Sequence, residues 1–330
     1  MRQTLRFTRR LTLAAMMTLP LLLAAPRLAH AQEFPKGPVK IIIPFTAGGP
    51  TDTVGRLIAQ KLQDIWGQTV IIDYKPGAGT VIGVDFVARA PADGHVIGLV
   101  NAAFTVNPSL RSSLPYDTQK DIRGVTQIAD MQLALVARAD APFNTVQEMI
   151  AYARRNPGKL SYGNAGAGGT THLAMELLKK NEKVDILYSP FKGSAPAHTE
   201  LIAGRIDMMT DPFLSVMPYV KANRMKMIAT FGDKRVAGYE SQYPTVNETL
   251  PGFVASSLLG FIAPAGTPDA IVRKIAADTA TVLRMPDIRA RLQDMALAPV
   301  GSSPEQFDAF IASEMQKWSK VIADGNIRID

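Results

Sequence analysis

Pro44-Phe45-Thr46-Ala47-Gly48-Gly49-Pro50-Thr51-Asp52 is a glycine turn that follows an apolar run at 39–43 and precedes an amphipathic helical pattern. A second glycine turn, Tyr162-Gly163-Asn164-Ala165-Gly166-Ala167-Gly168-Gly169-Thr170-Thr171-His172, is also followed by an amphipathic pattern. The offset between the two Gly-Gly pairs is 120 residues (169 − 49), so the sequence repeats a strand, a glycine turn and a helix. Glycine lets the backbone approach a ligand, and free N–H groups at a helix start favour an anion. Two such turns facing each other would hold a small acid between two domains, which indicates binding rather than catalysis.

Strand-like and helix-like segments alternate along most of the chain, which predicts an α/β fold with mainly parallel sheets. The segments 133–138 and 253–263 are predicted to cross between domains, as a two-strand hinge that supports closure around a ligand. We therefore predict one domain from residues 32–132 and 256–330, and a second from residues 133–255. Residues 107–110 and 114–117 are predicted to be loops.

The first 31 residues have the features of a cleaved signal peptide. A basic start with four arginines precedes an apolar stretch at 11–25, and Ala29-His30-Ala31 is a typical cleavage site. The apolar stretch is shorter than the ~20 residues that a spanning helix needs. Thr8-Arg9-Arg10 is compatible with twin-arginine export. The chain has no cysteine, which excludes a disulfide, thiolate chemistry and a lipid-bearing cysteine. The sequence predicts a free protein in a bacterial periplasm.

The basic charge of the chain lies largely in this segment. The formal net charge is +7, and removing residues 1–31 takes away five arginines and no acidic residue, which leaves +2. The main argument for a nucleic-acid partner, a strongly basic chain, therefore does not apply to the residues after 31.

Several catalytic and metal motifs are missing. Gly163 and Gly168 have the glycine spacing of a phosphate-binding loop, but Gly169 stands where that motif needs lysine. The three histidines after residue 31 are far apart and lack metal-ligand spacing, and the nucleophile motif G-x-S-x-G is absent. We predict no catalytic residue, no metal site and no cofactor. Ser194 is predicted to cap a helix.

A few polar side chains lie beside the predicted turns. Asp52 either caps or begins a helix, or accepts a hydrogen bond from a ligand. His172 either faces the ligand or has a solvated or capping role. Lys75 and Lys192 are candidates to neutralise a carboxylate, and Asn101 ends a predicted strand at the edge where ligands bind.

Several further motifs accompany the two turns in a fixed order along the chain. They are Pro44-Phe45-x-x-Gly48-Gly49-x-x-Asp52, Lys75-Pro76-Gly77-Ala78-Gly79, Asp93-Gly94, Leu114-Pro115-Tyr116-Asp117, Asn156-Pro157-Gly158-Lys159-Leu160, Phe191-Lys192-Gly193-Ser194-Ala195-Pro196-Ala197, Pro244-Thr245-Val246 and Ala263-Pro264-Ala265-Gly266-Thr267-Pro268. In this set the chain resembles the Bug family, the TctC-like receptors of tripartite tricarboxylate transporters.

The resemblance implies a type II periplasmic-binding-protein fold, a Venus flytrap that captures small organic acids and hands them to a membrane permease. It also implies that main-chain amides and ordered waters hold a carboxylate. A shuttle that must diffuse to its permease is predicted to be a monomer. The predicted ligand-binding residues are Thr46, Ala47, Gly48, Gly49, Asp52, Gly77, Asn101, Asn164, Gly166, Gly168, Gly169, Thr170, Thr171, His172, Lys192 and Asp211.

Some questions stay open at the level of sequence. Thr46-Ala47 stands where the family often has prolines, and Thr170-Thr171 adds two hydroxyls to the second turn. Dicarboxylates, tricarboxylates, acidic amino acids and nicotinate-like or benzoate-like acids are all candidate ligands. Two alternative functions are a ligand sensor for a membrane signalling partner and an enzyme that acts on a small acid through Asp52, His172 or Lys192.

Overall fold

Strands and helices alternate because apolar runs are separated by glycine and proline turns. The computed structural model describes residues 34–191, 193–325 and 327. The fold lies in Gly37–Asp330, and the predicted signal peptide lies outside the described residues. The strands are β1 (Val39–Ile43), β2 (Val70–Tyr74), β3 (Val96–Asn101), β4 (Ile122–Met131), β5 (Leu133–Arg138), β6 (Ser161–Asn164), β7 (Leu187–Pro190), β8 (Met208–Pro212), β9 (Met225–Thr230), β10 (Ser257–Pro264) and β11 (Leu297–Pro299). The helices are α1 (Pro50–Trp66), α2 (Val81–Ala88), α3 (Ala103–Leu110), α4 (Val146–Arg155), α5 (Thr170–Glu182), α6 (Ser194–Ile202), α7 (Phe213–Lys221), α8 (Val246–Thr249), α9 (Asp269–Arg284), α10 (Pro286–Asp294) and α11 (Pro304–Asp324).

The strands form two sheets. The first has the order β11-β4-β10-β3-β1-β2, and the second has the order β7-β6-β8-β5-β9. The α/β class with two sheets is confirmed. The chain passes from the first sheet to the second at Gln132 and returns before Ser257. The two passages are neighbours, because Ser257 pairs with Met131 and Ala255 donates a backbone hydrogen bond to Phe231. The domain limits at 132/133 and 255/256 stay a prediction.

The expectation of mainly parallel sheets is wrong. Among the described strands, the pairs β1–β2, β1–β3, β6–β7 and β6–β8 are parallel, and the other five pairs are antiparallel. Four of these antiparallel pairs involve β5 or β10, the strands that begin directly after a passage. Such a strand starts at the edge where the parallel strands end, so it must run in the opposite direction.

The prediction that residues 107–110 form a loop is wrong, because these residues belong to helix α3. Pro108 lies inside this helix, where it removes one backbone donor. Phe104, Val106 and Leu110 are nevertheless buried in the two main cores. Burial of these three side chains outweighs the local cost of the proline.

The last helix, α11, joins the cores of both sheets. Phe307 and Ile311 pack in the core beneath the first sheet, together with Ile42 and Ile262. Two turns further on, Trp318, Val321 and Ile322 pack in the core that holds much of the second sheet. None of the helices in the described part of the chain combines the length and the apolar character that a membrane span needs.

Gly260 in β10 provides a test of this packing. A Cβ atom at this position would lie 2.2 Å from Cζ of Phe307, whose side chain is fully buried. We expect Gly260→Ala to lower the free energy of unfolding by about 1–3 kcal/mol, as overpacking does. Urea denaturation measures the change. Gly37→Ala is the control, because a Cβ there meets nothing within 4 Å. Equal stability of both variants would contradict the packing of Phe307 on β10.

Candidate functional site

The two glycine turns have the same local structure. Each connects a parallel strand to a helix, β1 to α1 and β6 to α5, at the carboxyl end of the strand. Gly49 and Gly169 precede the helices with nearly equal dihedral angles, φ −82° and ψ 171° against φ −72° and ψ 164°. The residues before them, Gly48 and Gly168, have φ of +93° and +75°, a region that favours glycine. The repeat seen in the sequence is therefore a repeat of conformation.

A side chain four residues along anchors each turn. The backbone N–H of Gly48 donates to Oδ2 of Asp52 over 2.8 Å, and the N–H of Gly168 donates to Nδ1 of His172 over 3.1 Å. Asp52 and His172 are equivalent positions, because they are also 120 residues apart (172 − 52). The anchors fix the turns and use one N–H group of each.

Both carboxylate oxygens of Asp52 accept hydrogen bonds from the protein. Its Oδ1 accepts hydrogen bonds from the Tyr74 hydroxyl over 2.6 Å and from Arg56 Nε over 3.0 Å, and the residue is buried. Burial raises the pKa of Asp52, but the bonds from Tyr74 and Gly48 and the charge of Arg56 outweigh it, so the pKa lies below its ordinary value. The geometry supports a positioning role, and direct contact with a ligand stays a prediction.

His172 lies beneath the second turn and is buried. Its ring stacks on Tyr188 with 4.1 Å between centroids, and its Nε2 is 4.0 Å from the Glu176 carboxylate. Burial lowers the pKa of His172 from 6.5 to about 4, so the ring is neutral at pH 7. Neutrality is what the turn requires, since Nδ1 can accept from Gly168 only when it carries no proton.

Asn164 supports the second turn from the end of β6. Its side chain is fully buried, and its Oδ1 accepts from the Gly166 N–H over 2.9 Å and from the Tyr188 hydroxyl over 3.2 Å. Its Nδ2 has no hydrogen-bond partner within the described part of the chain. Asn164 therefore fixes the shape of the turn through its Oδ1 atom, and its Nδ2 atom is the hydrogen-bond donor that remains.

Asp211 is held by two side chains of α6. Its Oδ1 accepts from the Ser194 hydroxyl over 2.7 Å, and its Oδ2 lies 2.9 Å from Nε2 of His198. The predicted cap by Ser194 is wrong: Ser194 is the first residue of α6, and its hydroxyl reaches Asp211 instead. The carboxylate separates serine from histidine, unlike a catalytic triad, in which histidine contacts the nucleophile. Lys192 lies outside the described residues.

Three further candidates lie at or just after the carboxyl ends of β2 and β3 in the first sheet, whereas Thr170 and Thr171 begin α5. Asn101 accepts the Ala103 N–H over 3.0 Å and so starts α3. Gly77 has φ +133°, and a Cβ there would lie 2.5 Å from the Ile82 side chain. Lys75 does not stand free, since its Nζ is 3.2 Å from the Asp73 carboxylate.

The sequence analysis missed Asn107, which holds the loop that contains Gly77. Its Nδ2 donates to the Gly79 carbonyl over 2.8 Å and to the Thr80 hydroxyl over 3.1 Å. Its position beside Pro108 gave it the pattern of a loop residue, so no local signal pointed to it. Over the described ranges, no group of three or more potential metal ligands comes together.

The candidate site therefore consists of two glycine turns that are each anchored by a side chain four residues along and that leave mainly backbone amides unanchored. Residues 54–327 match the sequence model of the tripartite tricarboxylate transporter family receptors. The chain belongs to this receptor family. The resemblance to the Bug, or TctC-like, receptors is thus confirmed.

Individual members of the family are similar over nearly their whole length. A Pseudomonas sp. (strain P51) relative, the UPF0065 protein in the tcbD-tcbE intergenic region, is 33% identical over 91% of this chain and 90% of its own. The structure of R. palustris Rpa4515 with adipate is 31% identical, has a TM-score of 0.76, and covers 90% of this chain and 100% of its own. The structure of MatC from Rhodopseudomonas palustris with bound malate is 31% identical, has a TM-score of 0.69, and covers 88% and 100% respectively.

The buried His172 predicts a pH dependence of stability. An unfolded chain takes up a proton at this histidine as the pH falls through 6.5, whereas the folded protein does so only near pH 4. Stability present above pH 6.5 is therefore lost as the pH falls toward 4, on the order of 2–3 kcal/mol. We expect His172→Asn, whose amide oxygen can accept from Gly168 without titrating, to lose less stability over this range.

Urea denaturation at pH 7, 5.5 and 4 measures this difference. His95→Gln is the matched control, because His95 precedes β3 and belongs to neither turn. An equal loss of stability in wild-type protein and in His172→Asn would show that His172 does not cause the dependence.

Proposed function

We propose that this protein is a periplasmic solute-binding receptor that captures a small carboxylate between the two glycine turns and delivers it to a tripartite tricarboxylate-type permease. The observation that carries the proposal is the pair of turns, each anchored by a side chain of the protein and each lying at the start of a helix. Two relatives are structures with adipate and with malate, both small dicarboxylates. We further propose that the signal peptide is removed on export and that the receptor acts as a monomer.

The two turns offer different numbers of donors. In the first turn the residue after Gly49 is Pro50, which has no N–H group. The equivalent residue of the second turn is Thr170, which brings both an N–H and a hydroxyl. Because a carboxylate binds most strongly where donors are densest, we propose that its charged end lies at the second turn.

Bulky side chains at the turns should block the ligand without disturbing the fold. A Cβ at Gly49 meets nothing within 4 Å, and one at Gly169 meets only ordinary contacts at 3.8 Å and beyond. Both residues also have negative φ, so valine causes no left-handed strain. We expect Gly49→Val and Gly169→Val to weaken malate or adipate binding at least ~10-fold in isothermal titration calorimetry, a loss of about 1.4 kcal/mol.

Gly37→Val is the control for these variants, since it is equally unhindered and lies before β1. Unchanged thermal midpoints would show that the folds are intact. Wild-type affinity in both turn variants would show that the turns do not form the binding site.

Thr170→Pro tests where the charged end lies. Proline is well tolerated as the first residue of a helix, and Pro50 occupies this place in the first turn. The substitution removes one N–H and one hydroxyl from the second turn only. We expect weaker binding of malate with unchanged stability, and a larger effect than that of Thr53→Ala, whose hydroxyl bonds to the Gly49 carbonyl. An unchanged affinity would place the carboxylate elsewhere.

An enzyme of the same fold would need a free acid or base at the turns. Asp52 and His172 both serve as hydrogen-bond acceptors for the turns, which favours a receptor. Recovery of malate or adipate unchanged after prolonged incubation, measured by NMR, would support binding without chemistry. Conversion of either acid would contradict the proposal.

A further inference from the structure

The start of α6 and the end of β8 lie beside the second glycine turn. The Gly193 N–H, directly before α6, donates to the carbonyl of Ala165 in the turn over 3.0 Å. Strands β6 and β8 are parallel, so their carboxyl ends share one edge of the sheet. The Thr210 hydroxyl on β8 donates to the Thr171 carbonyl at the start of α5 over 2.7 Å. Both segments therefore border the turn where we place the charged end of the ligand.

Ser194 and Asp211 are hydrogen-bonded to each other at this border. The Ser194 hydroxyl, at the start of α6, donates to Oδ1 of Asp211 near the end of β8 over 2.7 Å. Nε2 of His198 lies 2.9 Å from Oδ2, so both carboxylate oxygens have a partner. Asp211 and His198 are buried, whereas Ser194 is only half-buried. Ser194 is therefore the one of these three residues that is partly exposed beside the turn.

The hydroxyl of Ser194 has only acceptor capacity left. A serine hydroxyl has one donor and two acceptor lone pairs, and Asp211 takes the donor. Serine at a helix start commonly accepts an N–H group of the first turn, but no N–H of α6 donates to Ser194. No other donor among the described residues occupies these lone pairs. The position is thus suited to a hydrogen-bond donor that comes from a ligand.

The surroundings of Ser194 favour a donor over a carboxylate. A ligand carboxylate at this hydroxyl would meet lone pairs without a hydrogen, and it would lie close to the carboxylate of Asp211. The second turn has the opposite character, because its N–H groups and the Thr170 hydroxyl are donors. The two places together can hold a carboxylate and, next to it, a group that carries an O–H or N–H bond.

We propose that Ser194 determines specificity at the carboxylate site by accepting a hydrogen bond from a hydroxyl or ammonium group on the carbon next to the carboxylate. The preferred ligands are then 2-hydroxy or 2-amino acids, and acids without such a donor bind more weakly. Asp211 fixes the direction of the Ser194 hydroxyl, so that its lone pairs remain available. The inference rests on the proposed receptor function, because it needs a carboxylate at the second turn.

Isothermal titration calorimetry of the wild-type protein tests this preference without any variant. One series consists of malate, aspartate, methylsuccinate and succinate, and a second consists of 2-hydroxyadipate, 2-aminoadipate, 2-methyladipate and adipate, with both enantiomers of each chiral acid. The methyl group matches the hydroxyl and ammonium groups in size but donates no hydrogen bond. We expect the hydroxy or amino acid of at least one series to bind at least ~10-fold more tightly than its methyl analogue, since the analogue leaves a polar group unpaired. The better of the two acids identifies the donor.

The variant Ser194→Ala locates the source of the preference. It removes the acceptor, so the affinity ratio between the preferred acid and its methyl analogue should fall to within about 3-fold. A ratio is measured because a general disturbance of the site weakens all acids and leaves the ratio unchanged. Ser194→Thr keeps the hydroxyl and should keep the preference. Ser313→Ala is the control, because Ser313 is exposed on α11 and its hydroxyl bonds within its own helix.

Two results would overturn the inference and leave the receptor function standing. The first is saturable binding of these acids with equal affinities for the hydroxy, amino and methyl members of both series. The second is an affinity ratio in Ser194→Ala that equals that of the wild-type protein. If no acid of either series binds saturably, the proposed carboxylate receptor itself is wrong, and the inference falls with it.

Discussion

The hydrogen bond from a glycine N–H to a side chain four residues later is the constraint on which the site depends. Gly48 and Gly168 adopt left-handed conformations that no neighbouring strand or helix would impose. Asp52 and His172 hold them by accepting their N–H groups, and each anchor is itself held from the sheet behind it, by Tyr74 on β2 and by Tyr188 on β7. A turn fixed in this way can present its remaining amides without reorganising when a ligand arrives, which lowers the entropic cost of binding.

The two passages between the sheets explain the mixed strand directions. A strand that begins at a passage must run away from it, which is why β5 and β10 oppose their neighbours. The same arrangement places one residue, Gln132, between two fully formed strands. A hinge at this residue, as predicted from the sequence, would need changes in only a few backbone angles.

Much of the fold could be predicted from the sequence, because the local sequence signals were strong. The bounds of β5 were predicted to the residue, and the two turns were placed correctly, since apolar runs bounded by polar residues and glycine pairs are local features. Helix α3 was missed because Pro108 is a local loop signal that only the burial of distant partners overrides. No local pattern marked β4.

Roles that depend on distant contacts could not be predicted. The Ser194 hydroxyl turns to Asp211, 17 residues away along the chain (211 − 194), and Asn107 holds a loop 28 residues before it. Aligning the two turns shows that Asp52 and His172 are equivalent positions. Their common role was not predictable, because a carboxylate and an imidazole differ in chemistry and only the structure shows that both accept a glycine N–H. Gln132 looks unremarkable in the sequence because its importance comes from the two sheets that it joins.

Helix α11 follows every described strand in the sequence, and both cores contain its side chains. The core that packs Leu173 and Phe231 also contains Trp318, Val321 and Ile322, which leave the ribosome after every strand of both sheets. Both cores therefore lack part of their packing until residues 307–322 are present, although every strand in the described part of the chain comes before them.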